Sequence, residues 1–159
     1  MAPSNYREVD LATTPLCDRI GQVKGCSMKV YRWPSRAAGR SHTVAFNGLV
    51  WTVANSPDGN PDFDIQVQQS LASLDKHLQE AGSDRRHILS LQIILAAIEN
   101  RARFDEHWQR WIGTDQRHWP QRACFQSGLA PGLQIELIAV AASGEEGPDD
   151  PVMEAERDR

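Results

Sequence analysis

The feature of this sequence that most narrows its fold is the way the apolar period changes along the chain. Up to Ala54 the apolar residues fall in short β-rich runs, and from Asp62 to Leu78 they recur every three or four positions. From His87 the run turns β-rich again, and Phe104, Trp108, Trp111 and Ile112 then restore the helical spacing before two last strand-like segments. Side chains repeat every second residue along a strand and about every 3.6 along a helix, so the order of periods is an order of elements.

Lys29 to Trp33 alternates weakly and Pro34 ends it. Thr43 to Phe46 and Leu49 to Ala54 flank Asn47-Gly48, a pair whose residues both tolerate positive φ, which predicts a hairpin. Val67, Leu71, Leu74 and Leu78 form one apolar stripe, with Asp62 or Asp64 as cap and Gly82 as terminator. His87 to Ala97 reads as a central strand with Leu89, Leu91, Ile93 and Leu95 on one face and Ser90, Gln92 and Ile94 on the other. The second helix closes at Gly113. Arg122 to Ser127 and Leu133 to Ala142, joined through Gly128 and Pro131-Gly132, read as a last pair of strands. The predicted class is α+β, one sheet with both helices packed on one side. The other sheet face carries Ile94, Ile138 and Val140, and the chain has no sequence left to cover it. A homo-oligomer with ligand sites between subunits is therefore expected.

The domain is placed at residues 28–142, between an N-terminal extension (1–27) and an acidic, disordered tail (143–159). Of the 159 residues, 17 are Lys or Arg and 21 are Asp or Glu; seven of the acids and two of the bases fall in the tail, which leaves the domain near neutral. Nucleic-acid binders concentrate basic charge to release counterions from phosphate, so no nucleic-acid partner is expected. No run approaches the roughly 18 apolar residues of a membrane span, and residues 1–27 lack a signal-peptide core, so no membrane partner and a cytoplasmic location are expected. Cys17, Cys26 and Cys124 are too scattered for a disulfide framework.

Glu136 is the informative carboxylate, because it shares a strand face with Gln134, Ile138 and Val140, where charge is normally avoided. It needs a partner, and Arg122, opening the preceding strand, can hold a carboxylate bidentately. Pattern alone accommodates equally a structural ion pair across a hairpin or a subunit boundary. Cys124 lies two residues on, on the same face as Arg122, but no histidine is placed to activate it, so a buried small hydrophobe is favoured over a nucleophile. His42, His77, His87, His107 and His118 show no ligand spacing, so no metal is expected. Trp108 and Trp111 are spaced for core packing rather than as a stacking platform. No phosphate-binding glycine motif occurs and no cofactor is expected, which leaves acid-base groups and bound water to do any chemistry.

Residues 28–142 resemble the Rid (reactive intermediate deaminase) proteins, formerly called YjgF or L-PSP proteins. Trp119 to Cys124, W-P-Q-R-A-C, is similar to the family's P-x-R-x-C signature, and Gln134 to Ala139 is similar to its closing I-E-I-x-A strand. The helix leading into Ala81-Gly82-Ser83 matches in spacing, and the W-x-x-W of Trp108 and Trp111 resembles the less characterised branch of the family. The resemblance implies a chorismate-mutase-like homotrimer with sites at the subunit boundaries. It implies that Arg122 grips the carboxylate of a 2-imino or 2-enamino acid. A water near Glu136 and the Cys124 backbone carbonyl would then attack the imine carbon, releasing ammonia and leaving a 2-keto acid. Thr52 and Ala54 fall where the family lines its pocket, but Val53-Ala54 stands where active members have Ser-Gly. The family's tyrosine before the hairpin has no match, and the loop between Arg122 and Glu136 is one residue shorter. A metal-free imine or enamine deaminase is the expected function, and a non-catalytic small-molecule-binding or accessory trimer is the alternative. An endoribonuclease, an activity attached to old family names, fits least.

Overall fold

A computed structural model describes residues 29–143, so the expectations on the N-terminal extension and on the tail beyond Ser143 lie outside the described residues. The chain enters at β1 (Tyr31–Pro34) and continues through β2 (Ser41–Phe46) and β3 (Leu49–Asn55). Asn47 at φ 50° and Gly48 at φ 75° form the tight turn between β2 and β3, with Phe46 opposite Leu49. Both turn residues take the left-handed conformation that matches strand twist, as the dipeptide predicts.

Helix α1 (Phe63–Glu80) follows. The Asp62 carboxylate accepts from Ile65 N at 3.1 Å, and Gly82 at φ 70° ends the helix. Val67, Leu71, Leu74 and Leu78 are buried, as the stripe predicts. Ser83, just past the helix, donates its hydroxyl to the Ala142 carbonyl at 2.6 Å and fixes the exit from α1 to the last strand. Gln66 is fully buried beside the apolar stripe: its amide donates to Gly132 O at 2.7 Å and accepts from Gln134 N at 2.9 Å, pinning the loop before that strand to α1. Such side-chain to backbone links satisfy loop groups that no ladder reaches.

The remaining elements are β4 (Ile88–Leu95), α2 (Arg101–Ile112), β5 (Gln121–Gln126) and β6 (Ile135–Ala142). All six strands form one sheet in the order β1-β2-β3-β6-β4-β5. Both helices pack on one face, over Val50, Leu91, Ile93, Ile135, Leu137 and Ala139. This is the predicted α+β class and the chorismate-mutase-like arrangement.

Two expectations are corrected. The last two strands do not pair with each other: β4 lies between them, antiparallel to β6 and parallel to β5. A β4-α2-β5 crossover returns β5 parallel to β4, and β6 already holds the inner edge of β4, so β5 is left at the sheet border. Leu89 does not share the face of Leu91, Ile93 and Leu95, because the pairing of β4 with β6 shifts between Ile88 and Ser90. The irregularity turns Ile88 inward and leaves Leu89 half exposed. Among the described residues no helix is long and apolar enough to cross a membrane.

Candidate functional site

The register of the sheet decides what each predicted site residue can reach. Arg122 and Cys124 lie opposite Leu91 and Ile93, on the face that the helices cover. Glu136 lies opposite Ile94 on one side and Asn55 on the other, on the open face with Ile138 and Val140. The expected partnership of Arg122 with Glu136 is therefore not made within one chain. Strand β4 separates them, and alternation points them to opposite faces of the sheet. Asn55 Nδ2 donates to Glu136 Oε2 at 3.3 Å instead.

Arg122 is held by α2. Its Nη2 lies 2.7 Å from Asp105 Oδ1, and its guanidinium sits over the rings of Trp108 at 5.6 Å and Phe104 at 5.8 Å. Aromatic faces attract a cation, so the two rings and the carboxylate fix the guanidinium plane. The pairing leaves capacity unused: Arg122 Nη1 is a buried atom without a hydrogen bond among the described residues, and Asp105 Oδ1 meets Nη2 as an ion pair without hydrogen-bond geometry. A buried donor left in this state costs free energy that a ligand with an acceptor recovers.

That guanidinium stands at one end of a cleft of about 500 Å³ between α2 and the segment leading into β5. Trp108, Ile112, Trp119 and Pro120 form its apolar walls. The indole N–H of Trp119 donates to the Gly113 carbonyl at 3.0 Å, which sets the ring upright at the rim. Cys124 is half-buried, and burial pushes its thiol up, away from the thiolate form that a nucleophile requires. Thr52 and Ala54 are buried on the helix face of β3. The Thr52 hydroxyl is engaged with Thr43 Oγ1 at 2.9 Å and His77 Nδ1 at 3.1 Å. From β3 it is Val53 and Asn55 that share the open face with Glu136. Among the described residues no group of three or more His, Cys, Asp or Glu is placed to hold a metal ion.

Sequence reading missed Asp105 and Trp119. Asp105 carries a signal in hindsight, since it stands three residues before Trp108 and seven before Ile112 and so shares a flank with them. Trp119 lay inside the W-P-Q-R-A-C segment but not at a position whose period assigns it a face.

The family model described as endoribonuclease L-PSP matches residues 33–143. A RutC family protein of Haemophilus ducreyi is 28% identical over 104 residues, covering 64% of this chain and 87% of that protein. The RutC family protein YoaB of Escherichia coli is 29% identical over 103 residues, covering 64% and 89%. Among solved structures, a member of the YjgF protein family from Neisseria meningitidis superposes with a TM-score of 0.68 at 26% identity, covering 75% of this chain and 98% of that one. An uncharacterized protein from Pseudomonas aeruginosa gives 0.66 at 30%, covering 73% and 100%. With the signature segments on β5 and β6 and a family-model match over residues 33–143, the chain belongs to the Rid (YjgF/L-PSP) family.

Proposed function

We propose that the protein hydrolyses reactive 2-imino and 2-enamino acids to 2-keto acids and ammonia, as a homotrimer whose sites lie between neighbouring chains. The observation that carries this reading is the family's Arg and Glu, present in register at Arg122 and Glu136, with Arg122 holding a spare buried donor at the end of a cleft. Because one chain sends these residues to opposite sheet faces, a complete site takes Arg122 from one copy and Glu136 from the next. Support for assembly comes from the open face, where Trp51 (41% exposed), Val53 (38%) and Phe125 (40%) surround Ile94 and Ile138. Apolar surface of this extent is stabilised by a second copy.

In the reaction Arg122 binds the substrate carboxylate and fixes the imine carbon for attack. Water oxygen adds to that carbon while Glu136 takes a water proton and delivers it to the nitrogen. The resulting carbinolamine passes its hydroxyl proton to the nitrogen, again through Glu136, as the C–N bond breaks. The oxygen stays as the keto oxygen and ammonia leaves; an enamine enters the same sequence after tautomerising to its imine. Positioning and proton shuttling suffice because the imine carbon is already electrophilic. The Cys124 thiol takes no part, in keeping with its raised pKa; the contribution of this residue is its backbone carbonyl, as a water acceptor.

A second reading, a carboxylate-binding trimer without turnover, is favoured by Val53-Ala54 in place of Ser-Gly. RNA cleavage, which the family model's name brings to mind, fits poorly: Arg85, Arg86, Arg103 and Arg117, outside the cleft, are each paired with an aspartate at 2.6 Å, so a phosphate backbone tracking the surface would meet neutralised cations there. The deciding assay couples the purified protein to a pyridoxal-phosphate dehydratase that generates 2-aminoacrylate and follows ammonia release. Wild type accelerates release and Glu136→Gln loses about 10²- to 10⁴-fold. Ammonia release at the uncatalysed rate with wild type present would overturn deamination.

A further inference from the structure

We infer that the site's substrate carries an aromatic or other large apolar side chain, with Trp119 and Trp108 as the residues that select it; this rests on the deaminase reading above and specifies its substrate class. The cleft that ends at Arg122 holds about 500 Å³, well inside the range of drug-sized ligand pockets. A substrate as small as 2-aminoacrylate, with only a methylene beyond the carbon that bears nitrogen, leaves most of that space to water.

The walls have the chemistry of a planar apolar group. Trp108 is buried at 7% exposure and already stacked with Phe104, so it forms a fixed floor. Trp119, by contrast, is 52% exposed although it is the largest apolar side chain at the rim. Its hydrogen bond to Gly113 O holds the indole in place, so the exposed ring face is preorganised instead of collapsing onto the protein. Gly113 can offer that carbonyl because it sits at φ 83° and ψ −176°, a backbone state open to glycine. Ile112 and Pro120 complete an apolar slot with one charged end, where Arg122 Nη1 has no partner among the described residues. A carboxylate joined to a flat ring satisfies both ends at once: the oxygen meets the unused N–H, and the ring covers the indole face. Asp105, at the same end, accepts the N–H that an imine or enamine nitrogen carries and a keto oxygen lacks.

The test separates this inference from the reading beneath it by measuring binding and turnover independently. Binding of phenylpyruvate, indole-3-pyruvate and pyruvate is followed by calorimetry and by quenching of tryptophan fluorescence in wild type, Trp119→Ala and Trp119→Phe. Turnover is followed as ammonia release from the imines that an amino-acid oxidase makes from phenylalanine and from alanine. The aromatic acids are expected to bind at least about 10-fold tighter than pyruvate, with the ratio falling toward one in Trp119→Ala and partly kept in Trp119→Phe. The kcat/KM ratio of the two imines should follow the same order. Equal affinity for phenylpyruvate and pyruvate, or an unchanged ratio in Trp119→Ala, overturns the inference. Tight, Trp119-dependent binding of aromatic acids without turnover of either imine upholds the selectivity and removes the deaminase reading alone. Equal turnover of both imines does the reverse.

Discussion

His77 shows how one side chain reports on the seam between α1 and the β2–β3 hairpin. Its ring stacks on His42 at a centroid distance of 4.0 Å, and Nδ1 lies 3.1 Å from the buried Thr52 hydroxyl. Burial, with the His42 ring and the Lys76 charge adding to it, pushes the imidazole from 6.5 down to about 4. His42 is lowered too, mainly by burial and secondly against the opposing pull of Glu80. A depressed histidine binds its proton more readily in the unfolded chain, so the folded state is favoured fully above pH 6.5 and loses ground as pH falls toward about 4. Urea unfolding at pH 7.0, 6.0 and 5.0 should show falling stability, and His77→Gln should flatten that slope. Carboxylates cannot account for it, since Asp84, held down to about 2 chiefly by its hydrogen bond from Arg86, gives up its contribution only below the ordinary carboxylate range. At this scale the sequence is only partly legible. Arg122 and Glu136 stand out because a charge inside a β-rich run is unusual, whereas the bond between His77 and Thr52 joins residues that no period relates.

Elements were legible where local chemistry determines them. Asn47-Gly48 admits essentially one kind of turn, and Asp62 and Gly82 cap a helix whose stripe needs only a surface to bury against. The place of β5 outside β4, and the irregularity that turns Leu89 outward, depend on which strand reaches the β4 edge and escaped a reading of periods alone. The end of α2 provides a sharp element-level check. A Cβ at Gly113 would meet nothing within 4 Å, yet the residue sits at φ 83°. Space is thus no obstacle, but the backbone is. Gly113→Ala is expected to destabilise the protein by about 1–3 kcal/mol in chemical denaturation, with Gly39→Ala as a second open, positive-φ site for comparison. A neutral result at Gly113 would mean that the α2 terminus relaxes into another conformation.

Over the whole molecule, the sheet divides two kinds of surface. One face is sealed by α1 and α2; the other presents Trp51, Val53 and Phe125. The alternation of Ile138 and Val140 with buried Leu137 and Ala139 made the second face legible, since a strand buried on one side only would carry polar residues there. What could not be read from the chain is which edge meets which neighbour. If the trimer forms through this face, Val53→Asp places three charges in its apolar centre, and light scattering should find the mass of a single chain while far-ultraviolet dichroism stays folded. A mass equal to that of the unaltered protein would locate the contact elsewhere.

The back-to-back placement of Arg122 and Glu136 across β4 has a consequence for inheritance of activity. Chains crippled at position 122 and chains crippled at position 136 should each be inert in pure form. Co-expressed, the two defective products should rescue one another, because a mixed ring joins an intact guanidinium from one parent to an intact carboxylate from the other. Recovered ammonia release in the mixture would reveal a shared site in a way that neither single variant can; a dead mixture would confine the chemistry to one polypeptide.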